Sequence, residues 1–86
     1  MGYKVIFKDS AIRDLDHLDQ PVIKRLLIKM EWFANQKNPL AFATKLTHPI
    51  IGQYRFRIGD YRVIFDHKQT TLIILRIDHR RSIYES

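Results

Sequence analysis

Two strand-like stretches of period two stand back to back in this chain, separated by only two residues. Gln53-Tyr54-Arg55-Phe56-Arg57-Ile58 and Tyr61-Arg62-Val63-Ile64-Phe65-Asp66 each read as a β-strand, with Gly59-Asp60 between them. A two-residue Gly-X connection is the chemistry of a tight hairpin, most easily type II′, because glycine accepts the positive φ that such a turn needs. A hairpin of that length sets its own register. Ile58 then pairs with Tyr61, Arg57 opposes Arg62 and Phe56 opposes Val63. Tyr54, Phe56, Ile58, Tyr61, Val63 and Phe65 fall on one side, the natural core face, and Arg55, Arg57 and Arg62 fall on the other.

The remainder of the chain supplies what this hairpin packs against. Tyr3 to Phe7 alternates as a first strand, and Asp9 or Ser10 offers an N-cap for a helix in which Ala11, Leu15 and Leu18 share a face. Asp19-Gln20-Pro21 interrupts it, and Pro21 suits the first turn of a second helix. There Val22, Ile23, Leu26, Leu27, Met30, Phe33 and Ala34 recur at helical spacing until Lys37-Asn38-Pro39. Leu40 to Ala43 is read as a short helical turn. After a polar turn at residues 67–70, a third alternating run extends from Thr71 to Ile77. The order strand, two helices, three strands predicts an α+β fold: an N-terminal strand, a helix hairpin, and a three-stranded antiparallel meander in one sheet with the helices on one face. With 86 residues and no Gly/Ser linker or internal repeat, residues 1–86 are read as a single domain.

Like charges directly opposite each other across a strand pair are destabilising. Folding by itself gives no reason to gather three arginines on one sheet face. Phosphate gives one, since the guanidinium fork binds phosphate oxygens bidentately. The plainer alternative is a solvated face where arginine merely alternates with the core. Whether Arg76 joins this face depends on the turn at 67–70, because a slip of one residue reverses it.

Fifteen Lys and Arg against nine Asp and Glu give a net charge of +6, which suits a polyanionic partner, nucleic acid or acidic protein, as well as plain solubility. There is no cysteine, so disulfides and thiolate metal sites are excluded. His17, His48 and His67 show no metal-ligand spacing, and neither metal nor cofactor is expected. No segment approaches the roughly 20 apolar residues of a membrane span, and the opening apolar run is too short for a signal peptide. A cytoplasmic protein is the simplest expectation.

The residues from Gly52 to Phe65, GQYRFRIGDYRVIF, resemble the G-x-Y-R-x-R-x-G-D-Y-R-V-I-Y signature of RelE-like toxins, and Asp78 to Tyr84, DHRRSIY, resembles the family's closing G-H-R-R-D-V-Y. Lys45-Leu46 stands where the family carries a Lys-Leu pair, and the first strand and helix hairpin also match. The resemblance therefore spans nearly the whole chain. It implies membership of the RelE/ParE superfamily and the role of toxin in a type II toxin–antitoxin pair. For RelE-type members it implies a metal-independent endoribonuclease that cuts mRNA in the ribosomal A site, the 2′-hydroxyl attacking the adjacent phosphate to leave a 2′,3′-cyclic phosphate. It also implies a cognate acidic antitoxin, through which the complex would bind operator DNA.

Carried over by position, Arg62 is expected to contact the scissile phosphate, Arg80 to do likewise or assist the leaving oxygen, and Tyr84 to stack on or orient a base. Lys45, Arg55, Arg57, Arg76 and Arg81 are expected to bind RNA. Arg55 and Arg57 stand where studied members carry lysines, one of them a candidate base. Arginine keeps its proton at physiological pH, so proton transfer falls to His79, histidine being the side chain that titrates near neutrality. His79 as a plain strand-end residue and Tyr84 as a core aromatic are the simpler readings. Asp78 replaces a glycine of the family, where it either pairs with an arginine, weakening the phosphate site, or orients His79. Two other functions stay open: a ParE-like poison of DNA gyrase, and a non-catalytic RNA- or ribosome-binding member.

Overall fold

The structure, a computed structural model, describes residues 2–47 and 51–79. Along the chain come β1 (Lys4–Phe7), α1 (Asp9–Asp16), α2 (Gln20–Ala34), a 3₁₀ turn at Pro39–Phe42, β2 (Thr44–Lys45), β3 (Tyr54–Ile58), β4 (Tyr61–Lys68) and β5 (Thr71–His79). They form a mixed α+β fold with one five-stranded sheet in the order β1-β5-β4-β3-β2. No helix among the described residues is long and apolar enough to cross a membrane.

The β3–β4 hairpin has the register its turn dictates. Ile58 pairs with Tyr61, Arg57 with Arg62 and Phe56 with Val63. Gly59 has φ 58°, while Asp60 is not among the residues with positive φ, as a type II′ turn requires. The meander continues antiparallel into β5 through a second two-residue turn, Gln69-Thr70, flanked by the pair Lys68 and Thr71. Gln69 takes φ 54° there, a conformation in which a side chain is strained.

Three features depart from the sequence reading. The sheet is not wholly antiparallel: β1 lies along β5 in parallel, Lys4 beside Thr71 and Phe7 beside Ile74. The two-helix excursion separates these strands in sequence, so no local turn sets their relative direction. A two-residue edge strand, β2, is added beside β3, with Thr44 opposite Arg55 and Lys45 opposite Tyr54. Finally, neither Asp9 nor Ser10 caps α1. Lys8 occupies the N-cap with no side-chain hydrogen bond, and the Ser10 hydroxyl instead donates to the carbonyl of Leu75 at 2.6 Å, fastening the helix to β5.

The helices bury their apolar stripe against one sheet face. Ala11 of α1 and Leu26, Met30, Phe33 and Ala34 of α2 join Phe56, Ile58, Val63, Phe65, Leu72, Ile74 and Ile77 in one core. Phe33 stacks on Phe56 at 4.2 Å and Phe56 on Phe65 at 4.3 Å, between near-parallel rings. This column fixes which face of the β3–β4 hairpin is inside and so presents the arginines on the other.

Candidate nucleic-acid interface

On the face away from this core, side chains line up in rows across the strands. Arg57 of β3, Arg62 of β4 and Asp78 of β5 form one row, because Arg62 pairs with Arg57 on one side and with Asp78 on the other. Arg55, Ile64 and Arg76 form the adjacent row. Directly opposed side chains on such rows have Cβ atoms roughly 4.5–5.5 Å apart. The face thus carries four guanidinium groups within two rows, with Asp78 at the β5 end.

The β5 member of each row is there because of a β-bulge. From the turn inward, Lys68, His67, Asp66 and Phe65 pair in step with Thr71, Leu72, Ile73 and Ile74. Strict alternation would next set Ile64 against Leu75 and Val63 against Arg76, driving Arg76 into the core. The register instead shifts between Ile64 and Phe65, so that Ile64 meets Arg76 and Val63 meets Ile77. One extra residue on β5 therefore returns Ile77 to the core and moves Arg76 and Asp78 onto the arginine face.

The arginines are not equivalent. Arg57 is exposed and Arg55 half-buried, whereas Arg62 retains only 3% of its surface. A charge in so enclosed a place is costly unless other charges or dipoles balance it. Burial also restricts the Arg62 side chain, and a guanidinium with little freedom to lose favours bidentate contact with an oxyanion. Gly52 closes over the neighbouring part of this face: a Cβ there would lie 2.7 Å from Ile64 Cγ2 and 2.9 Å from Leu75 Cδ1. The glycine that opens the sequence signature thus lets the loop approach Ile64 closely.

Arg76 is held within the fold. Its Nε donates to Asp14 Oδ2 of α1 at 2.9 Å, and a second nitrogen lies 3.5 Å from Asp14 Oδ1. The same Asp14 oxygen accepts the backbone N–H of Ile77 at 2.8 Å. Asp78 stands further from Arg76, at 3.6 Å. The hydrogen bond with Asp14, and then its charge, hold the Arg76 guanidinium above its ordinary pKa. Asp14 was invisible as a partner in the sequence: it lies 62 residues from Arg76, and its helix pattern reads only as solvated.

His79 does not share the Arg62 row. It pairs with Tyr61, and its ring meets the Tyr61 ring edge-on at 5.2 Å between centroids. This puts it on the other side of the strand from Asp78, as alternation demands. Lys45 is exposed, but its register opposite Tyr54 also gives it the core-side parity, and Thr44 is the residue beside Arg55. Arg80, Arg81 and Tyr84 lie outside the described residues. Arg55, Arg57, Arg62 and Arg76 are therefore the expected site residues that the register brings to one face, while His79 and Lys45 fall on the other parity.

With this geometry in place, comparison with known proteins gives a consistent result. The family model of the ParE toxin of type II toxin–antitoxin systems matches residues 5–84. Toxin RelG of Mycobacterium tuberculosis is 35% identical over 86 residues, covering 98% of each chain. Toxin RelE3 of Methanocaldococcus jannaschii is 32% identical over 84 residues, 95% of this chain and 96% of its own. Among solved structures, the toxin–antitoxin complex RelBE2 from M. tuberculosis contains a chain that superposes with a TM-score of 0.72 at 30% identity, covering 93% of this chain and 100% of that one.

Proposed function

The chain belongs to the ParE toxin family of type II toxin–antitoxin systems, as a RelE-like toxin, and from that premise we propose that it is an endoribonuclease that cuts mRNA in the ribosomal A site and so arrests translation. The observation that carries this reading is the direct opposition of Arg57 and Arg62, with Arg55 in the next row, on the face turned away from the helices. Attack of a ribose 2′-hydroxyl on the adjacent phosphate passes through a species with added negative charge on its oxygens. It ends with a 2′,3′-cyclic phosphate and a freed 5′-hydroxyl. Preorganised guanidinium groups lower that barrier because their charge is already in place. Arg62, enclosed and restricted, suits the reacting phosphate, while the more accessible Arg55 and Arg57 suit the flanking backbone.

The 2′-hydroxyl must lose a proton and the 5′-oxygen must gain one. His79 is kept as the proton acceptor on chemical grounds, since arginines do not serve. Its ring stands against Tyr61, on the other side of β5 from Asp78. Arg80 and Tyr84 retain the roles that their motif suggests, a second phosphate contact and a base platform. Lys45 and Arg81 are assigned to the RNA backbone.

The solved M. tuberculosis relative is a complex with its antitoxin. The same type of partner, a small acidic protein that covers the basic face, is proposed for this chain, with operator DNA contacted through it. A cytoplasmic location follows from the proposed substrate.

The test is induction of the wild type and of Arg62→Ala/Arg80→Ala in a bacterial host, with primer extension on ribosome-bound mRNA. Wild type is expected to stop growth and leave cleavage ends, and the double variant to do neither while still binding antitoxin. A double variant that remains fully toxic sinks the reading. DNA breaks without mRNA cleavage would instead assign the chain to the gyrase-directed activity for which ParE members are known. Ribosome binding without cleavage would mark a non-catalytic member.

A further inference from the structure

The function proposed above uses the arginines and leaves Asp78 unexplained. A carboxylate set among groups meant to bind phosphate opposes that purpose. Its placement is not incidental: the bulge at Ile64/Phe65 brings it onto the arginine face, directly opposite the buried Arg62. We infer that Asp78 is an internal counter-anion of the arginine face, one that an RNA phosphate must displace and that thereby sets how tightly, and over which strands, the RNA is held.

The two carboxylates near β5 divide the work. Asp14 accepts from Arg76 and from the Ile77 N–H, so its hydrogen-bonding capacity at that spot is engaged. Arg76, gripped at 2.9 Å by Asp14, stands 3.6 Å from Asp78, beyond a good hydrogen bond. Asp78 is therefore the weaker partner of Arg76, and its other charged neighbour across the strands is Arg62. A buried guanidinium is stabilised by such a neighbour while no RNA is present. When a phosphate arrives, one anion replaces another at Arg62. The β5 side of the face keeps the Asp78 carboxylate, so the RNA backbone is favoured over β3 and the β3–β4 seam, where Arg57 pairs with Arg62 and Arg55 with Ile64.

This inference rests on the reading of the arginine face as the RNA-binding surface, and the experiment separates the two. Binding of a fluorescent, uncleavable 2′-O-methyl oligonucleotide is measured by anisotropy across a salt series for wild type, Arg57→Ala and Asp78→Asn. Asp78→Asn is expected to bind about fivefold more tightly, the scale of one partly exposed ion pair. Its plot of log affinity against log salt is expected to steepen by up to about 0.7, because no displaced carboxylate then recaptures a cation when the phosphate takes its place. Arg57→Ala is expected to bind more weakly. If Arg57→Ala weakens binding while Asp78→Asn matches wild type in affinity and slope, the role of Asp78 is overturned and the reading of the face stands. If Arg57→Ala binds like wild type, the face is not the RNA surface and both fall. A second measurement needs no variant: the carboxyl ¹³C resonance of Asp78 in the wild type is expected to shift on saturation with the same oligonucleotide. An unmoved resonance overturns the inference even where Asp78→Asn fails to fold.

Discussion

Arg57 and Arg62 face each other directly across the β3–β4 hairpin, yet one is exposed and the other is buried to 3%. The difference comes from position within the sheet. β4 is flanked by β3 and β5, so Arg62 has neighbours on both sides, whereas β3 is bordered beyond Arg55 only by the two residues of β2.

Truncating the two arginines is therefore expected to have opposite effects on stability. Arg57→Ala removes a like-charge neighbour and exposes nothing, so stability holds or rises by a few tenths of a kcal/mol. Arg62→Ala removes a buried side chain whose methylene stem packs, and is expected to cost about 1–3 kcal/mol. Urea unfolding of both variants measures this, and an equal cost for the two would contradict the burial argument.

The Asp14–Arg76 pair is expected to be asymmetric. Arg76 has 44% of its side-chain surface exposed, so Arg76→Ala loses a partly solvated ion pair worth at most about 1 kcal/mol. Asp14→Ala also strips the acceptor from the N–H of the buried Ile77, and an orphaned buried donor costs about 1–3 kcal/mol. A double-mutant cycle read by thermal unfolding should place most of the Asp14 effect outside its coupling with Arg76.

His67 sits between aromatic rings, 5.8 Å from Tyr3 and 6.5 Å from Tyr54 by ring centroids. Its Nε2 is shielded and makes no hydrogen bond to a described residue. Phenylalanine keeps an aromatic ring between the two tyrosines and removes the desolvated nitrogen, along with Nδ1, at the cost of one extra ring atom. His67→Phe is expected to leave stability unchanged or raise it by up to about 1 kcal/mol. A clear loss in the melting midpoint would show that the nitrogen is satisfied in solution.

Gln69 holds φ 54° in the β4–β5 turn. The left-handed region costs a side-chain-bearing residue about 1–2 kcal/mol, and glycine escapes that cost but loses more entropy on folding. Gln69→Gly is expected to stabilise by about 0.5 kcal/mol, mostly through slower unfolding. A faster-unfolding variant would show that the Gln69 side chain contributes more than its strain removes.

The helix hairpin and the arginine face were both legible in the sequence. The period of two from Gln53 to Asp66, on either side of the two-residue turn Gly59-Asp60, dictates that Arg57 opposes Arg62, and the structure has that pair. Three- and four-residue spacing from Val22 to Ala34 likewise located α2 and its buried Leu26, Met30, Phe33 and Ala34, although Leu27 of the same run is exposed. The β5 side was not legible. Counting back from the 69–70 turn by strict alternation puts Arg76 opposite Val63, in the core. Only the bulge puts it opposite Ile64, and no residue in this stretch announces a bulge.

The same division holds for the site as a whole. Backbone chemistry acting over a few residues, a glycine at positive φ and a period of two, was enough to gather Arg55, Arg57 and Arg62. Long-range packing decided the rest: β1 parallel to β5, Arg62 enclosed, Arg76 drawn to a carboxylate of α1, and His79 turned toward Tyr61. Those outcomes depend on which distant surfaces meet and on a one-residue shift between two strands. A sequence pattern records neither, because alternation says which residues share a face only while the register is unbroken.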